Sequence, residues 1–116
     1  MTTIFHITSR DAWEQGLRSG AYRAPSLDQQ GFIHFSTAEQ VVATANRYYR
    51  GQADLLLLEV DPARLAAELR YEPPAEAPDS AERFPHLYGA LNLDAVTRVI
   101  AFPSDAGGGW SALPDS

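Results

Sequence analysis

Leu55-Leu56-Leu57-Leu58-Glu59-Val60 is a continuous apolar run of strand length, with Asp61-Pro62 directly behind it. A strand without alternation is one that neighbours cover on both faces, so this segment belongs at the centre of a sheet. Asp61 and Pro62 supply an N-cap and a proline at the first helical position, which predicts a short helix over Ala63 to Leu69.

Upstream of that core strand the chain reads as two strand-to-helix units. Thr3 to Thr8 alternates with period two, setting Ile4, His6 and Thr8 on one face and Phe5 and Ile7 on the other. Thr8-Ser9-Arg10-Asp11 matches a capping box, and Trp13 and Leu17 follow on one helical stripe until Gly20. Ala21 to Gln30, with Pro25 among polar neighbours, reads as a loop. Phe32 to Phe35 resumes β-favouring residues as a second strand. Ser36-Thr37-Ala38-Glu39 is a second capping box, and Val41, Ala45 and Tyr48 or Tyr49 continue at helical spacing to Gly51.

Downstream, Glu72 to Glu82 carries Pro73, Pro74 and Pro78 and is expected to be an exposed, mobile loop. Phe84-Pro85-His86-Leu87-Tyr88-Gly89 suggests a shaped turn rather than a regular strand, and Ala95 to Phe102 supplies a last strand. The expectation is one α+β domain over residues 1–103: a small mixed, mainly antiparallel sheet, open to splitting in two, with two to three helices. Residues 104–116 read as a Gly-rich C-terminal tail from which Trp110 docks back.

Composition limits the function classes. The 116 residues are 45% hydrophobic and 21% charged, which is ordinary globular usage for one core. No Cys is present, which excludes disulfides, thiolate-held zinc and Cys nucleophiles. The N-terminus lacks the basic and long apolar regions of a signal peptide, and the leucine run is far too short to span a bilayer. A cytoplasmic protein of bacterial type is the expectation. The net charge of −6 argues against broad binding to nucleic acid or to an anionic membrane. All nine basic residues are Arg, a bias that accompanies high Ala content and that leaves room for a local anion fork.

The chemistry concentrates on the three histidines. His6-Ile7-Thr8 and His34-Phe35-Ser36 each place an imidazole and a hydroxyl two residues apart at a strand end, facing the same way if the pleat holds. Each pair is expected to run straight into a capped helix, whose first-turn amides favour an anion. His86 would close the same pocket from its turn, and Arg23, in the loop before the second strand, is a candidate phosphate fork. Each of these residues also has a plain alternative: Thr8 and Ser36 as helix caps, the histidines as satisfied core residues, Arg23 as a solvated loop side chain. A three-His zinc site is weighed and set aside, because the histidines lack the short spacing of metal motifs. There is no Walker-type or dinucleotide Gly-rich loop and no nucleophile elbow.

Four segments carry a family resemblance: Phe5-His6-Ile7-Thr8; Tyr22 to Leu27 leading to Gly31 to Thr37; Asp54 to Asp61; and Phe84 to Gly89. From Thr3 to Phe102 the chain resembles the bacterial family catalogued as domain of unknown function 952. More distantly it is similar to the ADP-ribosyltransferase superfamily, especially the RNA 2′-phosphotransferases, through His6 with Thr8 and His34 with Ser36. That resemblance implies an ADP-ribosyltransferase-like fold. It also implies that NAD, ADP-ribose or a related phosphorylated nucleoside binds between the first two strand ends, as ligand or cosubstrate. In this reading His34 and His86 are the catalytic candidates for ADP-ribosyl or phosphate-ester transfer. His6, Thr8, Arg23, Ser36, Thr37 and Tyr88 are the ligand-binding candidates. No position here matches the late-strand catalytic Glu of the transferases, which keeps a noncatalytic metabolite-binding or protein-interaction module as the alternative.

Overall fold

The computed structural model describes residues 2–114. In chain order its elements are β1 (Ile4–Ser9), α1 (Arg10–Ser19), β2 (Ala21–Tyr22), α2 (Pro25–Gln30), β3 (Ile33–His34), β4 (Ser36–Thr37), α3 (Val41–Tyr48), β5 (Leu55–Val60), β6 (Glu68–Glu72), β7 (Phe84–Tyr88), β8 (Leu91–Asn92) and β9 (Val96–Ala101). The fold is α+β, with three helices and antiparallel strand pairs throughout. A four-stranded sheet runs β4-β1-β5-β9, a three-stranded sheet β3-β7-β6, and β2 pairs with β8.

The leucine run is β5, held between β1 and β9 and covered on both faces as its composition requires. Leu56, Leu58 and Val60 join Ile4 in a core shared with Ile33 and Leu87 of the second sheet. Leu55 and Leu57 join Phe5 and Ile7 in a core closed by Val41 and Ala45 of α3 and by Phe102 and Trp110. Leu57 and Leu58 are buried almost completely, each worth about 1.5–3 kcal/mol of apolar transfer.

Ser9, not Thr8, caps α1: its hydroxyl accepts from the Ala12 amide at 3.1 Å. Ser9→Ala is expected to lower stability by about 1 kcal/mol, read as a shifted urea midpoint at constant slope. An unchanged midpoint would mean that water replaces the cap without cost. The buried face of α1 is Trp13 and Gly16, while Leu17 of the expected stripe is half exposed. Gly16 permits a close approach, since a Cβ there would stand 3.1 Å from the Tyr22 Cα, tighter than ordinary van der Waals contact.

Three expectations are corrected. Residues 21–30 are not a loop but contain β2 and α2, the latter started by Pro25 at its first turn. The helix expected over Ala63 to Leu69 is a single 3-10 turn, Pro62–Arg64, which Asp61 does cap. Behind it Glu68-Leu69-Arg70-Tyr71-Glu72 alternates with period two and forms β6. Phe84 to Tyr88 is no turn: β7 is the central strand of the second sheet.

The second capping box is also corrected. Ser36 and Thr37 pair with Phe5 and Ile4 as β4, and α3 begins only at Val41 with no side-chain cap. Pro85 explains this detour. The Phe35 amide donates to the Pro85 carbonyl at 2.9 Å, but proline has no N–H to return the bond. The ladder therefore breaks at Phe35, and the chain passes from the three-stranded sheet to the four-stranded one.

Candidate functional site

A cavity of about 780 Å³ opens where the two sheets part, with β1, β4 and α3 on one side and β3, β7 and residues 74–82 on the other. Its wall includes His6, Thr8, Ser36, His34 and His86. Arg23, Thr37 and Tyr88 lie outside that wall. Arg23 faces a smaller hollow beside α1 and pairs with Asp28 at 3.2 Å. The Thr37 backbone N–H donates to Gln40 Oε1 at 3.0 Å.

The histidines form two layers on opposite sides of β3. In the inner layer, His6 is buried between the sheets with both ring nitrogens engaged. Nδ1 lies 2.5 Å from the His34 carbonyl, which can only accept, so that nitrogen carries the proton. Nε2 meets the Tyr22 hydroxyl at 2.8 Å, and Tyr22 meets the Thr8 hydroxyl at 2.8 Å. Burial pulls the His6 pKa down to about 4, against the raising effect of the carbonyl bond, and pushes Tyr22 up to about 12. The imidazole is therefore neutral at physiological pH. Its Nε2 lone pair accepts a hydrogen bond from the Tyr22 O–H, and the Thr8 hydroxyl then donates to the Tyr22 oxygen.

The outer layer holds the other two rings. His34 and His86 are directly opposite in the β3–β7 register, with ring centroids 5.4 Å apart. His6 and His34 line the same cavity, but His6 meets His34 through a bond to its backbone carbonyl, while the ring of His34 faces His86. The shared facing of His34 and Ser36 fails, because Phe35 carries the chain between sheets and leaves His34 exposed and Ser36 buried. Ser36 donates to the Thr44 hydroxyl at 3.3 Å.

His34 Nε2 donates to Gln30 Oε1 at 2.6 Å, and burial together with the neighbouring His86 lowers its pKa. His86 is buried under Phe32, which stacks on it at 4.1 Å. Its Nδ1 is 2.9 Å from Glu72 Oε1, and that same oxygen accepts from the Tyr88 hydroxyl at 2.5 Å. These two bonds, Tyr88 first, hold the Glu72 carboxyl below its usual range. Tyr88 therefore stands behind Glu72, with the Arg70 guanidinium 4.6 Å above its ring.

Glu72, Gln30 and Phe32 were missed as site residues. The signal for Glu72 was the alternation of residues 68–72, in register with Phe84-x-His86-x-Tyr88; the prolines that follow it hid the strand. Arg47, Tyr48, Glu76 and Glu82 add the charged and phenolic rim, and the Tyr48 hydroxyl donates to Glu76. Among the described residues no three His, Asp or Glu side chains are grouped to hold a metal ion. No helix among them is long and apolar enough to cross a membrane.

Comparison with solved structures finds the protein CC0527 from Caulobacter crescentus. Its X-ray structure is 38% identical with a TM-score of 0.82, covering 93% of this chain and 92% of that chain. Its solution NMR structure is 37% identical with a TM-score of 0.72, covering 94% and 91%. No curated protein matches. None of these relatives carries a transferase description, so the more distant likeness to ADP-ribosyltransferases gains no support from them. The model of the family described as Protein of unknown function (DUF952) matches residues 7–99, most of the chain, and the chain belongs to that family.

Proposed function

We propose that the cleft binds a phosphorylated nucleoside such as NAD or ADP-ribose and that His34 and His86 act there as an acid–base pair in glycosidic or phosphate-ester transfer. The observation that carries the reading is the facing of these two imidazoles at 5.4 Å across β3 and β7, in the wall of a cavity of about 780 Å³. That volume suits a nucleotide-sized ligand. Transfer at phosphorus or at an anomeric carbon needs one group to take a proton from the nucleophile and another to give one to the leaving oxygen. His34, its pKa lowered, offers a lone pair at neutral pH. Ser36, Thr44 and Arg47 supply polar contacts for the ligand's oxygens.

Titrating the protein with NAD and ADP-ribose should give saturable shifts of the His34 and His86 ring signals. Turnover of NAD or of a 2′-phosphorylated RNA should fall by about 10²–10⁴-fold in His34→Ala and His86→Ala. No shifts at millimolar ligand would end the reading. The noncatalytic alternative is favoured by one feature: Arg47 is the one Arg in the described cleft wall, against Glu76 and Glu82. Saturable binding with no turnover of any of these compounds would decide for it.

A further inference from the structure

We propose that Glu72 is a positioning residue that fixes the His86 tautomer and keeps its Nε2 lone pair turned to the cleft, which deepens and rests on the acid–base reading above. An ionised carboxylate has no proton to give, so a bond between Glu72 Oε1 and His86 Nδ1 at 2.9 Å places the proton on Nδ1. In the neutral ring the other nitrogen is then the base. Among the described residues Nε2 makes no hydrogen bond, and none of their buried side-chain nitrogens or oxygens lacks a partner. Nε2 therefore keeps solvent access, and the cavity is what His86 lines.

The ring's other freedoms are removed as well. Phe32 stacks on one face at 4.1 Å and 19°, and the His34 ring approaches at 82° from the side. Glu72 is in turn fixed by the Tyr88 hydroxyl on the same oxygen. Tyr88 is steadied by Arg70, whose guanidinium is clamped by both oxygens of Glu68 at 2.9 and 3.2 Å. The chain Glu68, Arg70, Tyr88, Glu72, His86 follows from the register of β6 against β7 and ends at one open nitrogen. A carboxylate behind an imidazole in this way orients it and selects its tautomer without itself taking the proton.

The test is the ring ¹⁵N spectrum of His86 at a pH above imidazole titration, recorded on the intact chain without ligand. Wild type should show Nδ1–H with an unprotonated Nε2. Glu72→Ala should lose that preference for the mixture of a free imidazole, whereas Glu72→Gln, whose amide oxygen still accepts, should keep it. Tyr88→Phe, which leaves the His86 bond in place, should also keep it and shows that the face of the sheet tolerates a change. An Nε2–H tautomer in wild type, or an unchanged tautomer in Glu72→Ala, overturns the proposal whatever the activity. If the tautomer results hold but no substrate turns over, the acid–base reading fails and the positioning geometry stands. Where turnover is found, Glu72→Ala should lower kcat by roughly 10²–10⁴-fold with little change in KM. A larger effect on KM than on kcat would make Glu72 a ligand contact and overturn the positioning role.

Discussion

Lowering the pH from neutral to about 5 should destabilise this protein by about 2 kcal/mol, with His6 as the main source. The sign follows from where the proton binds. In the unfolded chain His6 titrates near 6.5, and in the fold burial lowers it to about 4. Between those values the unfolded state holds the proton and the native state does not. Stability is therefore flat above 6.5 and falls as the pH drops below it. It levels off again below the native value, after a loss of about 3 kcal/mol in all.

His34 is lowered too and adds in the same direction, but its ring is exposed and its share is smaller. The glutamates held low by their partners, Glu68, Glu72 and Glu76, act only below their ordinary 4.5 and leave the upper interval to the histidines. Urea unfolding in steps from neutral pH to about 5 should show the slope. His6→Leu should cost about 2–4 kcal/mol at neutral pH, because the His34 carbonyl and the Tyr22 hydroxyl lose buried partners. The same variant should flatten the acid slope. An equally steep slope in His6→Leu would place the acid sensitivity elsewhere.

His6 also shows which parts of the molecule were legible in the sequence. The pleat of Thr3 to Thr8 and the unbroken leucine run each name their own surroundings, since apolar spacing alone says which faces are covered. β1, β5, α1 and the body of α3 could be read this way, and so could the presence of all three histidines in one cleft wall. Which rings face one another could not. That depends on register between strands far apart in sequence, and it turns on Pro85 breaking the ladder at Phe35. The same proline made a central strand look like a turn. Residues 68–72 spell an alternating strand, but Ala63 to Leu69 is rich in helix formers, and local propensity yields when an edge position on β7 is open. Ser36 and Thr37 fit a capping box letter for letter, yet β1 has a free edge, and pairing with it satisfies two backbones where a cap would satisfy one amide.

Trp110 carries the other large effect: Trp110→Ala should destabilise the protein by about 3–5 kcal/mol, and ending the chain at residue 103 should cost at least as much. The indole is buried and stacks on Phe102 with centroids 5.2 Å apart and planes 14° from parallel. Its Nε1–H donates to the Phe102 carbonyl at 3.3 Å. The glycines before it shape the approach. Asp105 Oδ1 accepts from the amides of Gly107 and Gly109 at 2.9 and 3.1 Å, and Gly108 takes a left-handed φ of 83° that a side chain would strain. Asn46 on α3 then reads the Trp110 backbone twice, accepting its N–H and donating to its carbonyl, both at 2.8 Å.

This segment thus closes the core between α3 and the outer face of β1 and β5, where Phe5, Ile7 and Leu57 would otherwise meet water. Thermal or urea unfolding of three proteins checks it: wild type, Trp110→Ala and the chain ending at 103. Asn46→Ala should fall between wild type and Trp110→Ala, because it removes the two bonds and leaves the stacked ring. If the shortened chain unfolds at the wild-type midpoint, Gly107 to Trp110 is an appendage and the core on that face is complete without it.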